Sequence, residues 1–287
     1  MLVFSALLLG INFAFNKLYQ KLYGTSLCAA FLFNALLGLA TAAIFFIFKG
    51  FKINFCIYSC IMAAFEETLV ISYTVLGFRI LKMSGSMAMY TLSLMTGGMI
   101  LPYVWGIAFL NEPFTCLRTA GLILIIAGVV LANLGGRNLN RKQVIMCAAV
   151  FMLNGCVSIV SKVHQTQMFY QTVSASDFVA FGGMFKFIIS GAVFLSAKNK
   201  NKEKNAHMEN MGKAIIIIVA SAAASGTAFM LQLKGASELP ATVLYPFVTG
   251  GSIMFSAIIG EIIFREKIST VLAASVALCF AGTLLFL

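Results

Sequence analysis

Residues 96–132 read TGGMILPYVWGIAFLNEPFTCLRTAGLILIIAGVVLA, and residues 249–286 read TGGSIMFSAIIGEIIFREKISTVLAASVALCFAGTLLF. With one inserted residue, the two stretches share a TGG triplet, an acidic residue and an Ala-Gly pair in the same order: 96–98 with 249–251, Glu112 with Glu266, and 127–128 with 281–282. The N-terminal parts of the two halves of the chain match more weakly, at Gly10 with Gly155 and at Lys17 with Lys162. We interpret this pattern as an internal repeat of residues 1–136 and residues 137–287; the alternative is that apolar sequence aligns with itself by chance.

The composition indicates an integral membrane protein. Of the 287 residues, 61% are hydrophobic and 10% are charged, whereas a soluble domain has about 25% charged residues. Apolar runs of roughly 20 residues match the thickness of a bilayer at the rise of an α-helix, while a β-barrel needs alternating segments of about ten. The sequence therefore predicts an all-α integral membrane protein, which we expect to be multi-pass in the plasma membrane.

The apolar runs and their polar breaks predict ten transmembrane helices. Their approximate bounds are 2–19, 27–48, 53–78, 84–109, 115–134, 143–162, 174–197, 212–234, 238–263 and 268–287. Five helices per repeat is an odd number, so the second half must enter the membrane in the opposite orientation to the first. Two inverted five-helix repeats with a central site between them are typical of many secondary transporters.

Several other classes of protein are disfavoured. The net charge of +11 comes from lysines and arginines that cluster between the apolar runs, which favours contact with anionic lipid headgroups over nucleic acid. The seven cysteines have no paired metal-ligand spacing, and the two histidines, His164 and His207, are isolated at span edges. With no nucleotide-binding loop and no nucleophile–base pair in the sequence, we expect no enzyme activity, no cofactor and no metal.

Two adjacent carboxylates, Glu66 and Glu67, lie near the middle of the third apolar run, and Lys186 lies near the middle of the seventh. A charge at a bilayer centre costs about 2.5–3.5 kcal/mol on insertion scales, so it usually faces a cavity, a partner or a transported species. Three interpretations follow. Lys186 pairs with one glutamate while the other binds a proton or cation, or an ammonium and a carboxylate bind a zwitterion such as an amino acid, or the ion pair is purely structural.

Other polar groups within the spans are candidates for substrate contact. Adjacent helical residues point about 100° apart, so the two carboxylates face different directions, and Glu66 shares its face with Tyr73. The remaining candidates are asparagines and tyrosines in spans 1, 4, 6 and 9: Asn12, Asn16, Asn154, Tyr90 and Tyr245. For the amides, hydrogen bonding between helices is the alternative. Glu112 and Glu266 lie near helix ends and are expected to cap the helix that follows each of them.

In these features the chain resembles the EamA-type members of the drug/metabolite transporter superfamily. The resemblance covers nearly the whole length: ten spans as five plus five, a Gly and a Lys flanking the first helix of each half, and an acidic turn between the fourth and fifth helices of each half, FLNEPFT at 109–115 and FREKIST at 264–270. The resemblance implies a transporter in which spans 3, 4 and 9 line a central cavity. It says little about the substrate.

Together these observations predict a secondary active transporter of a small organic metabolite or drug, cationic or zwitterionic, coupled to protons and working by alternating access. A passive channel with cation preference is the alternative. The expected partners are the small-molecule substrate, protons and the lipid bilayer, and the protein is expected to be a monomer or a homodimer. The distribution of lysine and arginine places both termini outside the cell, whereas the resemblance implies termini inside.

Overall fold

The computed structural model describes residues 1–23, 26–84, 87–132, 141–200, 211–264 and 270–286. Within these ranges the chain forms ten α-helices and no β-strand, which confirms the prediction of an all-α protein. The helices are α1 (Leu2–Tyr23), α2 (Leu27–Phe48), α3 (Ile57–Ser84), α4 (Met87–Phe109), α5 (Cys116–Ala132), α6 (Arg141–Thr166), α7 (Ala175–Lys200), α8 (Met211–Glu238), α9 (Ala241–Phe264) and α10 (Thr270–Leu284).

Eight of these helices are long and apolar enough to cross a membrane, which supports a multi-pass membrane protein. The other two have shorter apolar segments, Cys116–Leu131 in α5 and Ala273–Leu284 in α10. With 17 and 15 residues, α5 and α10 rise about 25 and 22 Å, somewhat less than the thickness of the hydrocarbon core. These two helices pack against each other.

The third helix begins later than its apolar sequence predicts. The predicted span starts at residue 53, whereas α3 starts at Ile57. Gly50 and Phe51 have left-handed backbone conformations, with φ of 59° and 62°, and residues 52–56 follow without regular structure. Hydropathy reports partition into the membrane and not backbone conformation, so an apolar connection cannot be distinguished from the first turn of a span.

Capping and a left-handed residue define two of the helix ends. Ser26 is the N-cap of α2, where its Oγ accepts a hydrogen bond from the Ala29 backbone N–H at 3.1 Å. After α4, Asn111 has a φ of 52°, and the Glu112 N–H donates to the Gly106 carbonyl at 3.0 Å. The chain therefore turns back sharply after α4 and keeps Glu112 next to this helix end.

Helices from the two halves of the chain interlock through close backbone approaches. Where α2 crosses α7, a Cβ on Gly38 would lie 2.7 Å from the Gly183 carbonyl oxygen, and a Cβ on Gly183 would lie 2.8 Å from the Gly38 carbonyl oxygen. Only residues without a side chain fit this crossing. Other extensive contacts join α5 with α10, α4 with α6, α1 with α9, α1 with α8, α3 with α6, α3 with α7, α4 with α9 and α2 with α8.

The apolar core forms two main clusters. The first joins α2, α3, α7 and α8 and contains Phe45, Ala63, Phe178 and Leu233. The second joins α4, α5, α9 and α10 and contains Met99, Ile125, Phe247 and Cys279. Because Ala63 lies one helical turn from the paired glutamates of α3, the first cluster forms the apolar surroundings of the candidate site.

Candidate functional site

The middle of α3 carries the two adjacent carboxylates. Glu66 and Glu67 lie close to the midpoint of the apolar segment Ile57–Gly77, and they are only 4% and 7% exposed. The helix contacts α6 and α7. Since adjacent helical residues point about 100° apart, each carboxylate meets a different neighbouring helix.

Glu67 faces α7 and pairs with Lys186. The Lys186 Nζ lies 3.3 Å from Glu67 Oε1, and the lysine side chain is 24% exposed while that of the glutamate is 9% exposed. Gly182, one turn before the lysine, leaves room for the carboxylate, since a Cβ there would lie 3.3 Å from Glu67 Oε1. The second oxygen, Oε2, is buried and has no hydrogen-bond partner among the described residues.

Glu66 faces α6 and is bound by a neutral group. Ser161 Oγ donates a hydrogen bond to Glu66 Oε1 at 3.0 Å. Among the described residues Glu66 has no ion pair, and its Oε2 is buried without a hydrogen-bond partner. The one lysine near the midplane is therefore paired with Glu67 and leaves Glu66 without an ionic partner among the described residues.

Of the predicted tyrosines, Tyr73 lies near this pair, whereas Tyr90 packs against α3 at Gly77, about three helical turns beyond it. Tyr73, which follows Glu66 by two turns of α3, is within electrostatic range of both glutamates and of Tyr90 on α4. Both rings pack against a buried apolar cluster that includes Ile80 and Val150. Tyr73 thus lies between the carboxylates and this apolar cluster.

A third tyrosine connects α9 to α6. The Tyr245 hydroxyl donates to the Ser158 carbonyl oxygen at 2.6 Å, and the Ser158 Oγ donates to the Gly98 carbonyl oxygen at 3.2 Å. Tyr245 is 5% exposed and within electrostatic range of Glu66. This places α9 beside the α3–α6 contact.

The predicted asparagines contact neighbouring helices. Asn154 Nδ2 donates to the Leu94 carbonyl oxygen at 2.7 Å and so joins α6 to α4. Asn12 Oδ1 accepts a hydrogen bond from Ser221 Oγ at 2.6 Å and so joins α1 to α8. Asn16 Oδ1 is buried and has no hydrogen-bond partner among the described residues. Asn12 and Asn154 thus make the hydrogen bonds between helices that were the alternative to substrate contact.

The prediction for Glu112 is wrong about which helix this residue caps. We expected this carboxylate to cap the following helix, α5. Instead Oε1 accepts from the Ala241 N–H at 2.6 Å and Oε2 accepts from the Thr242 N–H at 2.8 Å, so Glu112 caps α9. The cap crosses from one half of the chain to the other. Its counterpart in the repeat, Glu266, lies outside the described residues.

Sequence reasoning missed three polar residues of α6. Ser161 binds Glu66, and the neighbouring Lys162 donates from Nζ to the carbonyl oxygens of Ala236 at 2.7 Å and Leu239 at 2.6 Å. His164, expected to be isolated, is fully buried, with Nε2 2.8 Å from Ser59 Oγ. His207 lies outside the described residues. In the sequence, Lys162 stands out only as the counterpart of Lys17 at the predicted end of the sixth span, whereas α6 continues to Thr166.

The described cavity is separate from the glutamates. It is an apolar surface groove of about 350 Å³ between α2, α3 and α7, lined by Phe46, Ile53, Phe55, Cys60, Phe181, Met184, Phe185 and Ile188. Neither Glu66 nor Glu67 lines it. Among the described residues there is also no group of three or more side chains with metal-ligating atoms.

Comparison with known proteins gives the fold alone. No family model matches the chain, and no curated protein matches it. A solved crystal structure, described only as that of a protein, superposes with a TM-score of 0.76 at 17% sequence identity and covers 99% of this chain and 94% of that chain. The helical arrangement is therefore similar to that of a solved protein of nearly the same length.

Proposed function

We propose that the protein is a secondary active transporter that exchanges protons for a small organic cation or zwitterion, such as an amine or an amino acid. The site in the middle of α3 carries the proposal. Glu67 is paired with Lys186, Glu66 is bound only by Ser161, and each carboxylate has an oxygen without a hydrogen-bond partner among the described residues. An unsatisfied buried acceptor is costly, which favours a transient partner such as a proton or an ammonium group.

Reciprocal helix contacts support two inverted repeats, residues 1–136 and 137–287. If each helix of the first half corresponds to the helix five places later, the contact of α4 with α6 corresponds to that of α9 with α1, and the contact of α3 with α6 corresponds to that of α8 with α1. The contacts α2–α7, α5–α10 and α4–α9 correspond to themselves, as contacts across a two-fold axis do. This is the plan of a transporter with its site between two rocking halves.

Individual contacts support the same correspondence. In the contact of α5 with α10, Gly121 faces Gly282 and Ser275 faces Gly128. These two contacts exchange when the Ala-Gly pairs of the two halves are aligned. Together with the acidic turns, this favours the EamA-type transporter family, and we extend the proposal to that family and to all ten helices as transmembrane helices of the plasma membrane.

The two glutamates have different roles in the proposed cycle. Glu67 and Lys186, 3.3 Å apart, form the fixed pair. Glu66 holds a proton when the site is empty and releases it to the compartment from which the substrate arrives, because the substrate's ammonium group takes its place. A zwitterion's carboxylate would be met by Lys186, and Tyr73 and Tyr245 would enclose the apolar part of the substrate.

A passive facilitator with cation preference is the second candidate. It is favoured by the same uncompensated Glu66, since a single buried negative charge selects cations whether or not the protein alternates between states. A carrier and a facilitator differ in counterflow. Only a carrier accumulates external labelled substrate against an internal unlabelled pool. Its site brings labelled substrate in and returns outward with unlabelled substrate bound.

The experiment begins with purified protein and a thermal-shift screen against amino acids, amines, nucleosides and cationic drugs, since a bound ligand raises the apparent melting temperature. The compound with the largest shift is then tested for counterflow in liposomes. We expect counterflow with the wild-type protein and with Glu238→Gln, a matched control at an exposed glutamate, and its loss in Glu66→Gln. Rapid equilibration without counterflow would support the facilitator instead.

A further inference from the structure

Two charged side chains bind the turn between α8 and α9, at the end of the helices. Glu112 accepts hydrogen bonds from the Ala241 and Thr242 N–H groups at 2.6 and 2.8 Å. Lys162 donates to the carbonyl oxygens of Ala236 and Leu239 at 2.7 and 2.6 Å. We refer to Glu112 and Lys162 as the α8–α9 clasp.

Each charge of the clasp has the sign that its helix end favours. The carboxylate lies at the N-terminus of α9 and the ammonium lies at the C-terminus of α8, and both orientations complement the helix dipoles. Hydrogen bonds with one charged partner are roughly twice as strong as neutral ones. Lys162 is 5% exposed, and a Cβ on Gly106 would lie 2.6 Å from Glu112 Oε2. The glycine therefore provides the space that the carboxylate occupies.

The clasp joins three parts of the chain that meet at one face of the membrane. Glu112 belongs to the connection after α4, and Lys162 lies in the last two turns of α6. Their hydrogen-bond partners lie at and on either side of the turn at 239–240. α9 therefore cannot move away from α4, nor α8 from the end of α6, unless these four hydrogen bonds break. Lys162 is buried at this position, and Glu112 is partly buried.

The clasp is also connected to the paired glutamates. Ser161, which donates to Glu66, is the residue immediately before Lys162. One turn earlier, the Ser158 carbonyl accepts from Tyr245 of α9. A five-residue segment of α6 thus contacts the candidate site, α8 and α9, so that a change at Glu66 and a movement of the α8–α9 turn act on the same short segment.

We propose that the α8–α9 clasp is the gate on the membrane face that carries the α4–α5 and α8–α9 connections. The gate is closed in this structure, and it opens when Glu112 and Lys162 release the turn. The proposal rests on the transport function for its purpose, and it names which contacts must break in the step that exposes Glu66 to that face.

The test measures access to the site and needs no substrate. The seven native cysteines are replaced, and Ser158→Cys provides a single reporter below the clasp. Sealed membrane vesicles of each orientation are treated with a membrane-impermeant methanethiosulfonate reagent. We expect Glu112→Gln and Lys162→Met to raise the labelling rate at residue 158 at least about tenfold, a factor equal to 1.4 kcal/mol, from the clasp face alone.

The matched control is Glu238→Gln, which removes a negative charge beside the same turn, at the C-terminus of α8, from an exposed side chain that does not belong to the clasp. It should leave labelling unchanged. Unchanged labelling in both clasp variants, or an equal increase from both faces, would overturn the proposal. If Glu112→Gln does not fold, Lys162→Met carries the same test, with the melting temperature of each variant measured first.

The two proposals fail separately. Wild-type counterflow together with clasp variants that label like the wild type would remove the gate and leave the transporter. Face-specific labelling without any counterflow would remove the transporter and leave a clasp that controls access to a buried site.

Discussion

Replacing Glu67 by glutamine removes the buried counter-ion of Lys186. Breaking a buried ion pair by removing one partner costs about 3–5 kcal/mol, because the remaining charge is left uncompensated. The Lys186 side chain is 24% exposed, so the pair is not fully buried, and we expect about 3 kcal/mol, the lower end of that range.

The same change at Glu66 should have a smaller effect. A glutamine at position 66 keeps a carbonyl oxygen that accepts from Ser161 Oγ and, like the protonated Glu66 of the proposed empty site, carries no charge. Only the hydrogen bond is altered, at a cost of about 1 kcal/mol. The assay is thermal unfolding of purified protein in detergent. With a shift of about 2–4 °C per kcal/mol, Glu67→Gln should melt roughly 6 °C or more below the wild type and Glu66→Gln roughly 2–4 °C below it.

A double variant provides the control for this prediction. Glu67→Gln combined with Lys186→Met removes both charges and places an unbranched apolar side chain where the lysine stem lies. It should recover most of the lost stability, since an apolar replacement of a buried pair is often neutral. A Glu67→Gln protein that melts no lower than Glu66→Gln, or a double variant no more stable than Glu67→Gln alone, would refute the assignment of the ion pair to Glu67.

Two further predictions concern packing and hydrogen bonding. Gly183→Val should lower the melting temperature strongly, because its Cβ would approach the Gly38 carbonyl oxygen. Gly191→Ala should not lower it, because a Cβ there meets nothing within 4 Å. Equal effects would contradict the close crossing of α2 and α7. Tyr245→Phe removes the hydrogen bond to the Ser158 carbonyl and should cost about 1 kcal/mol in thermal unfolding, and no loss of stability would show that this bond is not needed to hold α9 against α6.

The architecture could be predicted from the sequence because the membrane imposes strong constraints on it. A run of about twenty apolar residues has few alternatives to a helix when every backbone polar group must be satisfied within the segment. The same reasoning drew attention to Glu66, Glu67 and Lys186, since charges are rare at such depths. The start of α3 was misplaced because residues 53–56, three of which are apolar, are not helical.

The partners of these side chains were less predictable. A helical face limits where Glu66 and Glu67 point, but which helix stands there depends on packing between segments about 100 residues apart. Ser161 is one of many small polar residues, and nothing local distinguishes it. Glu112 looked like an ordinary cap for the next helix, and only the folded chain brings Ala241 and Thr242 to it.

In the proposed transport cycle, Glu66 exchanges a proton for a substrate between two alternately exposed states. The most direct measurement uses liposomes loaded with a pH-sensitive dye, to which the compound identified by thermal shift is added from outside. We predict that the compound evokes proton movement in the opposite direction with the wild-type protein and none with Glu66→Gln. Substrate uptake with no proton movement in the wild type, or proton movement of the same size in Glu66→Gln, would contradict the account.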